Sequence, residues 1–336
     1  MKRIGLMGCG VVAGYGHLPA IKSVRELELH ALFDPDPRRL AAAQEKFGVA
    51  RAFTDAERFF SCGLDAVTIT SPAPFHRENV LGAARHGLHA LCEKPLSMSD
   101  AEAQEMISEM ERRGLMLFTA FCYRFSPVAL KIKELIEAGA IGRVGGLRLI
   151  YLWDCHGKYE RARFDERIVQ RRRAERMEEG GPLFDCGTHQ IDLARWWMGE
   201  VTRVAGHGAW NDNHRAPDHV WAHLDHAGGA HTMIEISYGY AHTARDQAHR
   251  FLYEIIGTDG LIRYERDEKI FEVRTAGGTE KLPFHHEKNF EGMYAAYARA
   301  LETGTPGCLS TAADGEAAAR IARQATAQAI DARSRS

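Results

Sequence analysis

Apolar runs alternate with helix-periodic segments over the first 120 residues. The apolar runs, each typical of a buried strand, are Arg3–Gly8, Leu27–Asp34, Ala66–Thr70, His89–Cys92 and Leu115–Phe121. Apolar residues recur with helical spacing between them, at Ala13–Val24, Pro37–Phe47, Pro74–His86 and Asp100–Arg113. Because parallel strands need helical crossovers, the alternation predicts an α/β domain of the Rossmann type, a doubly wound parallel sheet in residues 1–122.

The hydrophobic pattern changes after residue 122. A helix is predicted at Ser126–Ala138, and strands are predicted at Val144–Trp153, His219–Asp225, His231–Tyr240, Phe251–Gly257 and Ile270–Thr275. Short glycine-containing turns at 227–230 and 276–278 are typical of hairpins. Further helices are predicted at Thr188–Met198, Phe290–Glu302 and the alanine-rich 312–329. Residues 123–336 are therefore predicted to form a second α/β domain, with a largely antiparallel sheet.

Composition narrows the class of protein. The chain has 336 residues, of which 45% are hydrophobic, and its net charge is -2 from 43 basic and 45 acidic residues. Such a balance gives no attraction for nucleic acid or an anionic membrane, and no apolar stretch approaches the roughly 18 residues of a membrane span. The seven cysteines are scattered without a Cys-x-x-Cys pair, so reduced thiols and a cytoplasmic location are expected.

A glycine motif follows the first predicted strand. Residues 8–13, GCGVVA, have the G-x-G-x-x-A form of the dinucleotide-binding fingerprint. Gly8 allows a tight turn, Gly10 lets the backbone approach a pyrophosphate, and Ala13 allows close packing of helix on strand. An isolated match also fits an ordinary turn, but here strand, turn and helix occur in order. We expect the N-terminus of the helix to bind a pyrophosphate through Gly8, Gly10, Val11 and Val12.

An acid ends the second predicted strand. Asp34 follows the glycine motif at close to the usual spacing of roughly 20 residues. A carboxylate there accepts hydrogen bonds from the ribose hydroxyls and repels a 2′-phosphate, which favours NAD as the cofactor. Arg38 and Arg39 follow closely. If they are solvated charges on a helix, they do not affect cofactor choice. If they lie near the ribose, they offset the preference for NAD and make NADP possible. Arg38 is kept as a candidate cofactor contact.

The tripeptide Glu93-Lys94-Pro95 follows the predicted strand His89–Cys92. Ligands of doubly wound sheets bind beyond the carboxyl ends of the strands, so Lys94 is expected to face the cofactor. Beside a positive nicotinamide ring the pKa of an ammonium falls, and the group can stabilise an alkoxide. The alternative is a surface lysine at a strand end.

A second pair of polar residues lies in the predicted second domain. Asp185 and His189 are four apart, so they share a face if the chain is already helical there. Histidine titrates near neutral pH and can take or give a hydroxyl proton, while the aspartate orients the ring or holds a second hydroxyl. Taken alone, the pair is better explained as a helix cap or a satisfied core histidine, and the case for a functional role comes from its combination with the motifs of the first domain.

Together these residues resemble the Gfo/Idh/MocA oxidoreductase family, which includes glucose–fructose oxidoreductase and inositol dehydrogenase. The resemblance runs from residue 3 to about 330 and also uses the segment Tyr123-Arg124-Phe125. It implies that Lys94, Asp185 and His189 are the catalytic trio. It further implies cofactor contacts from Ser71, Pro72, His76, Glu93 and Lys94. The second domain of the family has an open sheet that commonly mediates homodimers or homotetramers.

Substrate contacts are expected from the trio and from Arg124, Trp153 and His156. Trp153 and His156 end a predicted strand that could face the cleft, where aromatic rings stack on the C–H faces of sugars, although core packing is equally compatible. Residues 160–176 contain seven arginines nearly balanced by acids, which favours a charged helix or lid over an anion-binding segment.

Eight histidines lie between residues 207 and 249. On a strand, His219 and His223 lie on the face that carries Trp221 and Asp225. No carboxylate or cysteine completes a recognisable ligand set, so we predict no metal site. A histidine-lined face at a subunit interface is the interpretation we prefer.

These observations predict an NAD(P)-dependent oxidoreductase that transfers hydride between the nicotinamide and a secondary alcohol or ketone. The expected partner is a small-molecule substrate, namely a sugar, sugar derivative or cyclitol. Two alternatives stay open: a non-catalytic NAD(P)-binding regulator, and an NAD-dependent glycoside hydrolase of the same fold. The intact trio favours a dehydrogenase.

Overall fold

The computed structural model describes residues 1–155, 166–239, 244–246 and 248–335. These residues form two compact units. Unit 1 comprises Met1–Phe125 and Lys288–Ala317, and unit 2 comprises Ser126–Glu287 and Ala318–Ser336. The first chain segment ends close to the predicted boundary at residue 122. However, the sequence interpretation had assigned the whole of 123–336 to the second domain, whereas 288–317 belongs to unit 1.

Unit 1 is an α/β unit. Its strands are β1 (Lys2–Met7), β2 (Leu27–Phe33), β3 (Arg51–Phe53), β4 (Ala66–Ile69), β5 (His89–Cys92), β6 (Leu117–Thr119) and β15 (Ser310–Thr311). Its helices are α1 (Leu18–Ser23), α2 (Pro37–Phe47), α3 (Ala56–Phe60), α4 (His76–Arg85), α5 (Asp100–Arg112) and α10 (Phe290–Thr303). The last helix, α11 (Ala312–Arg335), begins in unit 1 and ends in unit 2.

The described strands of unit 1 form one sheet in the order β3-β2-β1-β4-β5-β6-β15. All neighbours are parallel except β15, which pairs antiparallel with β6. This order is that of a doubly wound sheet, in which ligands bind beyond the carboxyl ends of the strands where the chain reverses its direction of winding, here between β1 and β4. The predicted parallel sheet is confirmed.

The predicted helix Ala13–Val24 is divided into two parts. Residues Ala13–His17 form a π-helical turn, and α1 follows with Pro19 in its first turn. Proline has no N–H to donate to the carbonyl four residues earlier, so a regular helix cannot run through this point. π-helical turns of this kind often occur at functional sites.

Unit 2 also mixes helices and strands. Its helices are α6 (Pro127–Glu137), α7 (Glu166–Glu179), α8 (Gly181–Asp185) and α9 (Gly187–Met198). Its strands are β7 (Val144–Leu152), β8 (Val201–Ala209), β9 (His219–His226), β10 (His231–Ser237), β11 (Arg250–Gly257), β12 (Gly260–Glu265), β13 (Ile270–Thr275) and β14 (Gly278–Lys281).

The described strands of unit 2 form a sheet in the order β14-β13-β12-β11-β7-β10-β9-β8. Every neighbouring pair is antiparallel except β7 and β10, which are parallel. The expectation of a largely antiparallel second sheet is therefore confirmed. Among the helices that the structure describes, none has the length and apolar character needed to cross a lipid bilayer.

Candidate active site

The glycine motif forms the turn after β1 in unit 1. Gly8 has φ +103°, and a Cβ on it would lie 2.7 Å from the backbone nitrogen of Ser71, so a side chain is excluded there. A Cβ on Gly10 would meet no atom within 4 Å. The backbone at Gly10 is therefore open to a close approach, which fits the pyrophosphate of a dinucleotide. Val11, next to it, is an exposed apolar residue.

Asp34 lies directly after β2 and is buried. Its carboxylate accepts hydrogen bonds from the backbone N–H of Cys9 and of Asp36, both at 2.8 Å, and it pairs with the Arg39 guanidinium. Burial, and then the negative charge of Asp34, raises the pKa of the Cys9 thiol to about 12. The thiol is therefore protonated at neutral pH. The side chain of Arg38 is exposed, and its backbone N–H donates to the Asp36 carboxylate.

The segment after β4 is held by a buried histidine. The ring nitrogens of His76 lie 2.9 Å from the carbonyl oxygen of Pro95 and 2.8 Å from that of Ser71. The side-chain hydroxyl of Ser71 accepts from the amide of Asn79. His76 thus connects the Ser71-Pro72 segment to the Lys94 segment. The residue is only 1% exposed, so its geometry supports a structural role. Its direct contact with a cofactor stays a prediction.

A buried chain of hydrogen bonds leads to Glu93, the residue that precedes Lys94. His17 Nε2 lies 2.8 Å from Glu93 Oε1, and His17 Nδ1 lies 2.7 Å from the Tyr294 hydroxyl. Tyr294 donates to Thr68, and the other Glu93 oxygen accepts from the backbone N–H of Lys94. Burial alone would raise the pKa of Glu93, but the hydrogen bond with His17 and the nearby positive charges keep that pKa below its usual range. The carboxylate that precedes Lys94 is therefore charged and fixed.

Arg124 has a partner inside unit 1. The residue is 5% exposed, and its guanidinium lies 3.5 Å from the carboxylate of Asp314, at the start of α11. The sequence did not indicate this ion pair, because Asp314 is remote along the chain. The contact of Arg124 with substrate stays a prediction.

Unit 2 brings Asp185 and His189 onto one helical face. Asp185 ends α8 and His189 lies in the first turn of α9, with Cys186 between the two helices at φ -84° and ψ -31°. The backbone is therefore helical through the junction, and residues four apart lie above one another. The geometric condition on which the sequence interpretation depended is met.

Among the residues that the structure describes, Tyr238 and Arg176 bind the carboxylate of Asp185. The Tyr238 hydroxyl donates to Asp185 Oδ2, and the Arg176 guanidinium lies 3.7 Å from the same oxygen. Burial, and then the charge of Asp185, raises the pKa of Tyr238 well above its usual value. Tyr238 therefore stays protonated and acts as a donor.

The strand end at Trp153 lies beside this cluster. Trp153 stacks on Tyr151, with ring centroids 5.5 Å apart, and meets Tyr238 edge to face at 6.2 Å. Trp153 is only partly buried, so it combines core packing with an accessible face. His156, the other candidate at this strand end, lies outside the described residues.

The arginine-rich segment is helical where it is described, from residue 166 onward. Arg173 pairs with Asp212 and Asp218, and Arg176 with Asp185. Both arginines therefore form ion pairs with carboxylates of this chain, which agrees with the predicted charged helix. A lid role stays a prediction.

The histidine-rich strand β9 alternates as predicted. His219, Trp221, His223 and Asp225 are partly exposed, and the residues between them are buried. Across the described ranges, no group of three or more His, Cys, Asp or Glu side chains is arranged to hold a metal ion. The proposed interface role of this face is not tested by these contacts.

Comparison with known proteins identifies the family. Residues 2–121 match the model of an oxidoreductase family with an NAD-binding Rossmann fold, and residues 129–263 match the Gfo/Idh/MocA C-terminal domain. D-apiose dehydrogenase from Paraburkholderia graminis is 32% identical over 279 residues, which cover 82% of this chain and 70% of that protein. The chain belongs to the Gfo/Idh/MocA oxidoreductase family. Its first domain is accordingly an NAD-binding domain, and the predicted family and cofactor are confirmed.

Two further relatives agree with this membership. Myo-inositol 2-dehydrogenase from Thermotoga maritima is 32% identical over 199 residues, which cover 59% of this chain and 55% of that protein. A solved structure of levoglucosan dehydrogenase with NADH and L-sorbose superimposes with a TM-score of 0.82 at 22% identity, covering 99% of this chain and 97% of that one. At this identity the superposition supports the fold.

Sequence reasoning missed four residues that organise these clusters, namely His17, Tyr294, Arg176 and Tyr238. His17 offered a signal, because a histidine in the first helical turn after a glycine motif is poorly explained by amphipathicity alone. The other three carry no local signal, since their partners are far away along the chain.

Proposed function

We propose that this family member is an NAD(P)-dependent dehydrogenase that interconverts a secondary alcohol and a ketone on a sugar, sugar derivative or cyclitol. Membership of an oxidoreductase family supports the reaction type. The relatives named for D-apiose and myo-inositol support the substrate class, because both compounds carry several neighbouring hydroxyl groups.

The observation that carries the proposal is the environment of Asp185. A carboxylate bound by a protonated tyrosine and an arginine, one turn before a histidine, is suited to hold an imidazole or a substrate hydroxyl in place. Simple helix capping does not account for it, because Tyr238 and Arg176 come from other elements of unit 2. The alternative of an ordinary helix-capping pair is therefore disfavoured.

The cofactor-binding residues follow from unit 1. The open backbone at Gly10 and the N–H groups of Val11 and Val12 would hold the pyrophosphate, and Asp34 would define the ribose end. Ser71 and Pro72 line the carboxyl edge after β4, and Lys94 follows β5 at the same edge. The bound nicotinamide would supply the two-electron acceptor or donor, which is the chemistry that the side chains lack.

We assign the proton chemistry to the trio. His189 takes the proton of the substrate hydroxyl on its imidazole, and gives it back in the reverse direction. The Lys94 ammonium is assigned to stabilise the negative charge that develops on a substrate oxygen. Asp185, fixed by Tyr238, orients His189 or a neighbouring hydroxyl. Arg124, Trp153 and His156 are proposed as further substrate contacts.

Two properties of the protein belong to the same proposal. Assembly into a homodimer or homotetramer through the second sheet is supported by the partly exposed aromatic and histidine side chains of β9, and light scattering of the purified protein tests it. A cytoplasmic location is supported by seven cysteines outside disulfides.

A substrate panel tests the function. Pentoses, aldoses, inositols and ketosugars are each incubated with NAD⁺, NADH, NADP⁺ or NADPH, and the absorbance of the reduced nicotinamide is followed. A dehydrogenase produces or consumes net reduced cofactor with at least one free polyol or ketose. Turnover of glycosides without net reduction would indicate a hydrolase instead, and binding without any turnover would indicate a regulator.

A further inference from the structure

An exposed aromatic side chain lies in the helical turn that follows the glycine motif. Tyr15 belongs to the π-helical turn Ala13–His17, and 52% of the residue is exposed to solvent. Its ring meets the ring of Phe290 edge to face, with centroids 6.1 Å apart. Gly16 allows Phe290 to pack against this turn, since a Cβ on Gly16 would lie 2.7 Å from the Phe290 ring. The turn therefore holds an aromatic face in contact with solvent, and π-helical turns are frequent at functional sites.

A lysine lies over this ring. The ammonium of Lys288 is 5.5 Å from the centroid of the Tyr15 ring. The next residue, Asn289, is attached twice to the segment that follows β6. Its backbone N–H donates to the carbonyl oxygen of Cys122 at 3.3 Å, and its side-chain amide donates to the carbonyl oxygen of Phe125 at 2.9 Å. These bonds fix the backbone next to Lys288 at the carboxyl edge of the parallel sheet.

Helix stability does not explain a lysine at this position. Asn289 is the N-cap of α10, and its side-chain oxygen accepts from the backbone N–H of Gly292 at 2.8 Å. The N-terminus of a helix is the positive end of the helix dipole, so an acid is more favourable there than Lys288. The ammonium and the helix end attract an anion together, which is the arrangement expected of a binding residue.

The acid near the Tyr15 phenol is buried, whereas the lysine is exposed. Burial raises the pKa of the Tyr15 phenol, the charge of Lys288 lowers that pKa, and the charge of Glu93 raises it. The phenol therefore stays protonated at neutral pH. Glu93 is 8% exposed, and its oxygens are bound by His17 and by the backbone N–H of Lys94. A ligand on the Tyr15 ring would consequently meet the exposed ammonium of Lys288 rather than the carboxylate of Glu93.

We propose that Tyr15 and Lys288 form a substrate subsite for an acidic sugar. The Lys288 ammonium binds the carboxylate of the substrate, and a C–H face of the sugar stacks on the Tyr15 ring. The inference rests on the proposed function and narrows its substrate class to aldonic or uronic acids. One ammonium balances the single charge of a carboxylate, whereas a phosphate carries about two charges, so the carboxylate is the better match.

Pairs of substrates that differ in one acidic group test the subsite. Aldonic acids are compared with the corresponding alditols, uronic acids with the corresponding aldoses, and aldose 6-phosphates with the same aldoses, in the gluco, galacto and manno series. For the best pair, we expect the wild type to have a kcat/KM at least about tenfold higher for the carboxylic acid than for its neutral partner. Lys288→Gln should lower this acid-to-neutral ratio by about tenfold or more, mainly through the KM for the acid.

Lys46→Gln is the matched control. The ammonium of Lys46 also lies over an aromatic ring of unit 1, at 5.3 Å from the centroid of Phe47, but at the far end of α2. Lys46→Gln should leave the acid-to-neutral ratio unchanged. Tyr15→Leu, which removes the aromatic face, should lower kcat/KM for both members of a pair, while the melting temperature stays close to that of the wild type because the residue is half exposed.

Four results would overturn the subsite. They are turnover of the neutral members without the acids, a preference for sugar phosphates over sugar acids, an unchanged ratio in Lys288→Gln, and a loss of NAD⁺ affinity in Lys288→Gln measured by calorimetric titration. The last result would assign the lysine to the cofactor. If no acid, neutral sugar or alditol changed the amount of reduced cofactor, the proposed function would itself be wrong, so the two failures are distinguishable.

Discussion

The imidazole of His17 and the carboxylate of Glu93 lie 2.8 Å apart, and the His17 side chain is completely buried. This contact joins the first helical turn after the glycine motif to the end of the strand that precedes Lys94. Lys94, which we propose stabilises the alkoxide, therefore follows a carboxylate that is hydrogen-bonded to His17 in the helical turn after the glycine motif. Tyr294 extends the link to α10 through its bond to His17.

Replacing His17 should destabilise unit 1. His17→Asn removes the partner of a buried carboxylate, and we expect a loss of about 2 kcal/mol in the apparent free energy of unfolding at pH 7. Urea titration monitored by circular dichroism measures it. Glu57→Gln is the control, because it breaks a histidine–carboxylate pair whose glutamate is largely exposed, and its midpoint should not move.

The same comparison has a defined pH dependence. Folding lowers the pKa of Glu93 from its ordinary value of 4.5. A carboxyl group with a depressed pKa stabilises the folded state above its unfolded pKa, and that stabilisation is lost as the pH falls through the folded pKa. The difference between wild type and His17→Asn should therefore be constant above about pH 5 and narrow below 4.5. A difference that grows on acidification would contradict the charged state assigned to Glu93.

Adding a methyl group at Gly10 should affect binding without affecting folding. Gly10→Ala meets no protein atom within 4 Å, so we expect an unchanged melting temperature. The methyl would occupy the space needed for close approach of the pyrophosphate, and the dissociation constant for NAD⁺ should rise by about tenfold or more. Gly228→Ala, also without neighbours within 4 Å, controls for the substitution itself and should change neither quantity. If Gly10→Ala binds NAD⁺ as tightly as the wild type, the glycine turn is not part of the binding site.

Loss of the Tyr238 hydroxyl should reduce turnover. Tyr238→Phe removes the donor to Asp185, and kcat/KM should fall by about tenfold. Tyr264→Phe provides the control, since its hydroxyl also donates a partly buried hydrogen bond, to the carbonyl oxygen of His285 at 2.9 Å. A similar loss of stability in both variants, with no difference in rate, would show that Tyr238 is only structural.

The parallel sheet and the position of the candidate residues could be predicted because they depend on local patterns. Asp34, Ser71 and Glu93 each follow an apolar run, and the carboxyl ends of parallel strands lie at one edge. The spacing of Asp185 and His189 predicted a shared face only if the chain was already helical there, and the backbone at Cys186 meets that condition. Local spacing is sufficient for features of this kind.

Features that depend on distant partners could not be predicted. Strand β8 was missed because Gly206 weakens the strand pattern, yet a Cβ on Gly206 would lie 2.0 Å from the carbonyl oxygen of Ala325 in α11, so the helix requires the glycine. The assignment of 288–317 to unit 1 was missed for a similar reason. It depends on the pairing of Ser310 with Thr119, almost 200 residues earlier.

The most direct measurement compares Lys94→Ala with the wild type, using a polyol found in the substrate panel and calorimetric titration of NAD⁺. Our account predicts that kcat falls by about 100-fold or more while the dissociation constant for NAD⁺ changes little, because the ammonium acts on the substrate oxygen. Near-normal turnover in Lys94→Ala would contradict the assignment of the proton chemistry.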